Sequence, residues 1–163
     1  PLVLVGRKTE RSPRELPAGA QIVGSWPHAA VMAAWKRALA GILPSQVPET
    51  FGIAVLEAMS QRRAVIASRI GGLPDVVVDG ESGLLVPPGD AQALRSALER
   101  LIRDRELRER LERAASDRAQ LFSAAAVVPH IEEAYQMVRR AGTRSVSEPG
   151  AALNLTTHLK KPD

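Results

Sequence analysis

The chain has 163 residues, 45% of them apolar and 3% aromatic, and its 22 basic and 18 acidic residues give a net charge of +4. This length suits one compact domain with a core of Leu, Val, Ile and Ala. The mild charge argues against nucleic-acid binding, whereas an anionic small ligand or an anionic membrane surface fits it equally well. The absence of cysteine excludes disulfides and thiolate chemistry, and we expect a cytoplasmic protein, with peripheral attachment to a membrane left open.

Short apolar runs alternate with helical patterns along the chain. In chain order we predict a strand at 2–6, a strand at 21–24, a helix at 27–39, a strand at 41–44, a helix at 51–61, a strand at 64–67, a short helix after the Gly71-Gly72 turn, a strand at 83–86, a helix capped by Asp90, and helices at 104–120 and 124–140. This alternation predicts an α/β fold with a doubly wound parallel sheet, whose first strand is buried. We expect one domain over 1–140 and a flexible tail over 141–163, where the periodicity ends.

The helical pattern after Asp90 places Leu94, Leu98 and Leu101 on one face, which predicts a core-facing stripe. The next helix is dense in charge, and its spacing predicts three ion pairs four residues apart: Asp104/Arg108, Glu106/Arg110 and Glu109/Arg113. These charges are typical of a solvated helix face.

Two glutamates, Glu49 and Glu57, flank the predicted start of the helix at 51–61. The N–H groups of Phe51, Gly52 and Ile53 at a helix start favour a phosphate or diphosphate, and Gly52 would let a ligand approach the backbone. A diphosphate there has one carboxylate on either side, and carboxylates accept hydrogen bonds from vicinal diols. The pattern therefore fits a nucleotide sugar, with the sugar towards Glu49 and the ribose towards Glu57. Purely structural roles remain open: Glu49 as a pre-helix acid and Glu57 as a solvated helix residue.

The ordered set of segments around these glutamates resembles the retaining GT-B glycosyltransferases of group 1, also called family 4. The resemblance covers roughly residues 2–140. It is carried by Val5-Gly6, Ile22-Val23-Gly24, Pro44-Ser45, the E-x7-E spacing of Glu49 and Glu57, Leu56-Glu57-Ala58-Met59, Val65-Ile66-Ala67-Ser68, Gly71-Gly72-Leu73-Pro74-Asp75 and Gly83-Leu84-Leu85-Val86-Pro87.

The resemblance implies a Rossmann-like C-terminal domain that binds a UDP-, GDP- or ADP-sugar. It implies that Glu49, the catalytic candidate, contacts the transferred sugar and that Glu57 contacts the ribose. It also implies that backbone N–H groups of Phe51 to Ile53 meet the diphosphate and that the Val23-Gly24 loop lies near the base. For Gly71-Gly72 we favour close approach to the donor over simple turn chemistry.

The chain departs from the family pattern at several positions. Arg62 stands where the family usually has Gly, and a left-handed conformation there would cost about 1 kcal/mol. The Arg and Lys pair that the family places before the first strand is not in this chain, and Arg7 and Lys8 lie in a different loop. The acceptor-binding N-terminal domain is also absent, so we expect a part of a longer protein and an inactive isolated chain.

Other polar and aromatic residues remain open to two interpretations. His28 fits a helix-start role better than ligand contact, and Trp26 could stack on a base or pack beside the strand end at Val23. His130 and His158 have no partner at ligand spacing, so we predict no metal site and no cofactor beyond the donor substrate. Besides a retaining hexosyl transferase, the alternatives are a non-catalytic nucleotide-sugar-binding module and a GT-B-type nucleotide-sugar epimerase.

Overall fold

The computed structural model describes residues 1–10 and 12–142. For Ala141 and Gly142 it describes the backbone only. Over these residues the elements are β1 (Leu2–Val5), β2 (Ala20–Val23), α1 (His28–Arg37), β3 (Ala40–Leu43), α2 (Ile53–Ser60), β4 (Ala64–Ser68), α3 (Leu73–Val76), β5 (Leu84–Val86), α4 (Ala91–Arg103), α5 (Arg105–Gln120) and α6 (Ala124–Gly142). Each predicted strand and helix is confirmed to within two or three residues. The last helix includes the first two residues of the predicted tail, and residues 143–163 lie outside the described part.

The strands form two parallel sheets rather than the one sheet expected. Strand β1 pairs with β2, with Leu2 opposite Ala20. The other sheet has the order β3-β4-β5, with Ala40 opposite Ala64 and Ile66 opposite Leu84. Because parallel neighbours need a crossover, a helix lies between successive strands of the second sheet. The predicted α/β class with parallel pairing is confirmed, whereas the single doubly wound sheet is not seen in the described residues.

The prediction that the first strand is buried is wrong. All four side chains of β1 are exposed, with 40–53% of their surface accessible. By contrast, every residue of β4 is buried. An apolar run shows that a strand can be buried on both faces, but burial requires covering layers from distant parts of the chain. Strand β1 belongs to a two-stranded sheet, and β4 is the central strand of three.

The main core cluster lies between the second sheet and the helix pair α4 and α5. Its buried members are Ala64, Ile66, Leu84, Val86, Ala97, Leu101, Leu107 and Leu111, with Leu94 and Leu98 packed partly buried against them. The predicted stripe of α4 is therefore confirmed. This packing fixes β4 and β5, and through β4 it fixes β3, which leads into the segment with the two glutamates.

None of the three predicted ion pairs is among the ion pairs of the described residues, and members of the first two make other contacts. The Asp104 carboxylate accepts a 2.8 Å hydrogen bond from the Leu107 N–H and caps α5, while Arg108 donates to the Leu101 carbonyl at 2.6 Å. Arg110 donates to the Gly80 carbonyl at 3.0 Å. A carboxylate at a helix start can cap the backbone, and a long arginine can reach a carbonyl outside its own helix.

Arginine side chains nevertheless lie close to two carboxylates of these helices, Glu99 and Glu109. The Arg95 hydrogen bond, with the nearby charge of Arg103, lowers the pKa of Glu99 below its ordinary value. The hydrogen bond from Arg105 lowers the pKa of Glu109, and the charge of Arg113 contributes a smaller effect. The predicted Glu109/Arg113 ion pair is therefore not formed in the described residues: Arg105 pairs with Glu109 instead, and Arg113 acts on it only through its nearby charge.

Arg62 adopts the left-handed conformation that was considered for it because Gly usually occupies this position in the family that the chain resembles. Its φ angle is +56°. Its N–H donates to the Met59 carbonyl, and the N–H of Arg63 donates to the Ala58 carbonyl. These two bonds form a Schellman motif with Arg62 at the position that glycine usually takes.

The chain divides between Leu121 and Phe122 into two compact units. The described part of the second unit contains α6, which carries Pro129 and exposes Val128, Ile131 and Tyr135. No helix within residues 1–10 and 12–142 is long and apolar enough to cross a membrane.

Candidate functional site

Glu49 lies at the end of the loop that joins β3 to α2. Its side chain is partly buried, and its Oε1 accepts a 2.8 Å hydrogen bond from the Ser45 hydroxyl four residues earlier. A side chain with three rotatable bonds is thereby held in one orientation before any ligand binds. The loop therefore presents an oriented carboxylate just before the start of α2.

The Gly71-Gly72 turn holds the backbone of Glu49. The Gly72 N–H donates to the Glu49 carbonyl at 2.7 Å. A Cβ on Gly71 would lie 2.3 Å from the Glu49 carbonyl oxygen, and one on Gly72 would lie 2.3 Å from the Thr50 carbonyl oxygen. These glycines are therefore required by contact between two backbone segments of the protein. Their approach to a donor stays a prediction.

Helix α2 begins at Ile53, slightly later than the sequence predicts. Gly52 is its N-cap residue, and Phe51 precedes the helix. The N–H groups of Ile53 and Ala54 come before the first helical bond, which Val55 donates to the Gly52 carbonyl. Within the described residues no side chain caps this helix start. Ala54 is thus a backbone donor candidate that sequence reasoning missed.

Gly52 has a structural requirement of its own, and the approach of a ligand that the sequence suggested stays a prediction. It is buried, its φ angle is +80°, and an added Cβ would lie 2.4 Å from Cδ2 of Leu73. A left-handed residue in close contact with a leucine favours glycine without any ligand. The N-cap conformation and the contact with α3 together determine the direction in which α2 starts.

Glu57 is the fifth residue of α2, so it lies roughly 6 Å along the axis from Ile53. Its Oε1 is 3.0 Å from Nε2 of His28, the first residue of α1. Only 20% of the Glu57 side chain is exposed, against 73% for His28. The sequence placed His28 at a helix start, as confirmed here, but gave no sign of its pairing with a residue 29 positions away.

The predicted base-binding segment follows β2 and leads to His28. Val23 pairs with Val5 at the end of β2 and is partly buried. Gly24 is exposed, and an added Cβ there would meet no atom within 4 Å. Trp26 is partly buried. The segment therefore joins the first sheet to the residue that contacts Glu57, and its contact with a base stays a prediction.

A cleft of about 460 Å³ lies at the other end of α1, and none of the predicted site residues lines it. Four arginines surround it, namely Arg37, Arg63, Arg105 and Arg108. Three of them already have partners: Arg63 donates to the Ala38 carbonyl, Arg105 to Glu109 and Arg108 to the Leu101 carbonyl. These contacts give Arg63, Arg105 and Arg108 structural roles.

The residues gathered around α2 can hold an anion and two hydroxyl-bearing groups. Backbone N–H groups and the helix dipole favour a negative charge at Ile53. The carboxylates of Glu49 and Glu57 lie on opposite sides of that point along the chain, and each has one oxygen engaged by a single side-chain partner. Among residues 1–10 and 12–142, no three His, Cys, Asp or Glu side chains come together in a metal-binding group.

The chain is similar to known proteins over most of its length. The sequence model of the family described as "Glycosyl transferases group 1" matches residues 2–118. The phosphatidyl-myo-inositol mannosyltransferase of Mycobacterium leprae is 33% identical over 147 residues, which are 88% of this chain and 39% of that protein. The chain thus spans about two fifths of the length of this relative.

Solved structures agree with this similarity. The C-terminal domain of the group 1 glycosyl transferase LpcC from Francisella tularensis is 32% identical, with a TM-score of 0.55 over 62% of this chain and 52% of that chain. The structure of Anabaena Alr3699/HepE in complex with UDP is 25% identical, with a TM-score of 0.68 over 72% of this chain and 32% of that chain. The predicted family and the fold of a C-terminal GT-B domain are confirmed. The roles of Glu49, Glu57 and the other site residues stay predictions.

Proposed function

Because this chain belongs to the group 1 glycosyl transferases and has the fold of their C-terminal domain, we propose that it binds a nucleotide-diphosphate sugar for retaining transfer of a hexosyl group. One observation carries this proposal. The uncapped start of α2 lies between two carboxylates, each oriented by a hydrogen bond from outside that helix.

Each part of such a donor matches one part of this site. The diphosphate is anionic and fits the N–H groups at Ile53 and Ala54. The sugar hydroxyls would donate to Glu49 on the loop side, and the ribose diol would donate to Glu57 within the helix. The base would lie towards Val23 and Gly24. The turn at Gly71 and Gly72 would support the sugar end through the Glu49 backbone.

Stabilisation of the negative charge that develops on the diphosphate would lower the activation barrier of the reaction. In the transferase reaction the bond between the anomeric carbon and the phosphate oxygen breaks, and its electron pair stays on the leaving diphosphate. An acceptor hydroxyl oxygen forms the new bond to the anomeric carbon, and its proton passes to the diphosphate. The N–H donors at the start of α2 are fixed before that charge develops, so they would stabilise the transition state without reorganising. Glu49 would orient the sugar whose bond is breaking.

The isolated 163-residue chain has a more limited expected activity. It spans 39% of the length of the mannosyltransferase relative, which supports a donor-binding part that acts together with an acceptor-binding domain. We therefore expect this chain alone to bind the donor without transferring the sugar. Turnover by the isolated chain would refute this expectation.

We also propose a cytoplasmic protein that attaches peripherally to a membrane. Two observations support binding to an anionic lipid surface: the net charge of +4, and the phosphatidyl-myo-inositol in the name of the mannosyltransferase relative. Co-sedimentation of the full-length protein with phosphatidylserine vesicles tests this, and equal recovery with neutral phosphatidylcholine vesicles would contradict it.

Calorimetric titration of the chain with UDP, GDP and ADP, and with their glucose conjugates, tests donor binding. We expect one nucleotide series to bind, and Glu57→Ala to weaken both the diphosphate and its sugar conjugate by about 10-fold or more, since hydrogen bonds to charged groups contribute roughly 1.5–3 kcal/mol. Glu49→Ala should weaken only the sugar conjugate. Glu81→Ala, at an exposed glutamate outside the site, is the control. Unchanged affinity in both site variants would refute the assignment.

A further inference from the structure

The pair of His28 and Glu57 connects the first residue of α1 to the middle of α2. An ionised carboxylate can only accept a hydrogen bond, so His28 donates through Nε2 to Oε1 of Glu57 across 3.0 Å. The imidazole is 73% exposed, and a contact made by so exposed a side chain contributes little to folding stability. Stabilisation of the packing between α1 and α2 therefore does not by itself account for the hydrogen bond between His28 and Glu57.

The bond restricts the orientation of the Glu57 carboxylate. A glutamate on a helix surface samples several rotamers, and binding a ligand in one of them loses that freedom. With Oε1 anchored on His28, the second oxygen is held in place, and Oε1 keeps acceptor capacity for another donor. A vicinal diol needs two such acceptors in a fixed relation.

The same arrangement occurs at Glu49. There Ser45 donates to Oε1 at 2.8 Å from the loop before α2. Each of the two carboxylates on either side of the α2 start is thus held at one oxygen by a side chain outside the helix. Two independent side chains that orient the two ends of one site indicate preorganisation for a ligand rather than incidental packing.

We propose that His28 is a positioning residue for donor binding: its imidazole orients the Glu57 carboxylate to accept both hydroxyls of the ribose diol. This inference rests on the proposed function, because it assigns a role to His28 within the same site. It predicts that His28 affects affinity only through Glu57 and only for ligands that carry the diol.

Calorimetric titration of the 163-residue chain provides the test. The probe is whichever of UDP-glucose, GDP-glucose or ADP-glucose binds the wild type, together with the 2′,3′-dideoxy form of the same nucleoside diphosphate. We expect His28→Ala to raise the Kd of the ribose-containing ligand about 3- to 10-fold, the loss of one hydrogen bond, and to leave the Kd of the dideoxy ligand unchanged. His28→Gln, which keeps an N–H donor at similar reach, should recover most of the affinity. His130→Ala, at an exposed histidine of α6, should change neither Kd.

A double-mutant cycle tests whether His28 acts through Glu57. In a Glu57→Ala background, His28→Ala should cause no further loss of affinity. A His28→Ala loss that is equal for ribose and dideoxy ligands, or that persists in the Glu57→Ala background, would overturn the positioning role.

The test separates this inference from the function it rests on. If Glu57→Ala weakens binding while His28→Ala binds as the wild type does, the positioning role is overturned and the proposed function stands. If the wild type binds none of the nucleotides, the proposed function fails, and the inference fails with it.

Discussion

Replacing Gly71 by alanine tests whether the glycine turn holds Glu49 in place. Gly71 has a φ angle of +58°, and an added Cβ would lie 2.3 Å from the Glu49 carbonyl oxygen and 2.7 Å from its amide nitrogen. Ordinary contact begins at about 3.4 Å, so the Glu49 backbone would have to move by roughly 1 Å. The substitution therefore combines backbone strain with displacement of the catalytic candidate.

Gly89→Ala is a matched control that carries the strain alone. Its φ angle is +76°, and an added Cβ would meet no atom within 4 Å. We expect about 1 kcal/mol of destabilisation for Gly89→Ala from the left-handed conformation. Gly71→Ala should lose that amount and a further 1–3 kcal/mol, approximately, because an overpacked contact must rearrange.

Urea denaturation and donor titration measure the two consequences separately. Since a misplacement of about 1 Å can remove two orders of magnitude of function, Gly71→Ala should weaken binding of the sugar nucleotide at least about 10-fold. Gly89→Ala should leave that affinity unchanged. Equal stability losses for the two variants, with wild-type donor affinity for Gly71→Ala, would refute the role of the turn.

Three further substitutions test the helix ends and the surface charges. Arg62→Gly should stabilise the protein by about 1 kcal/mol in urea denaturation, because glycine relieves the left-handed strain; Arg62→Ala keeps the Cβ, and an equal gain there would contradict this reason. Asp90→Ala should cost about 1 kcal/mol, because the carboxylate accepts from the Ala93 N–H and caps α4; a variant as stable as the wild type would show that the cap is dispensable. Because Arg105 lowers the pKa of Glu109 in the folded state, the stabilisation from Glu109 is present above the unfolded pKa and lost as pH falls through the folded one. Glu109→Gln should therefore be less stable than the wild type at pH 7 and equally stable near pH 2, and a difference of the same size at both pH values would exclude this linkage.

Features set by neighbouring residues were predictable from the sequence. The alternation of apolar runs and amphipathic patterns located every strand and helix of the described residues, because periodicity reflects local backbone geometry. Asp90 was identified as a cap because capping acts over three residues. The predicted helix boundary was sufficient to place Glu49 before the start of α2 and Glu57 within the helix. The family likewise could be identified, from an ordered series of short segments.

Sequence reasoning missed contacts of several residues that the packing of the elements decides. Gly52 packs against Leu73 of α3, a contact that the sequence did not indicate, and its approach to a ligand stays a prediction. Asp104 was paired with Arg108, but it caps α5, and Arg108 reaches the Leu101 carbonyl instead. In each case the residue type allowed more than one contact, and the packing of the elements selected one.

The sequence by itself determined the α/β class, the family and the two carboxylates around a helix start, because each is recorded in short segments of neighbouring residues or in the order of such segments. Only the tertiary structure decided that β1 is exposed, that Gly71 and Gly72 pack on the backbone of Glu49, and that His28 donates to Glu57. Gly71 lies 22 positions from Glu49 along the chain, and His28 lies 29 positions from Glu57. The physical reason is that no local pattern specifies how α1, α2 and the glycine turn are brought together, since that depends on the packing of the whole sheet and its helices.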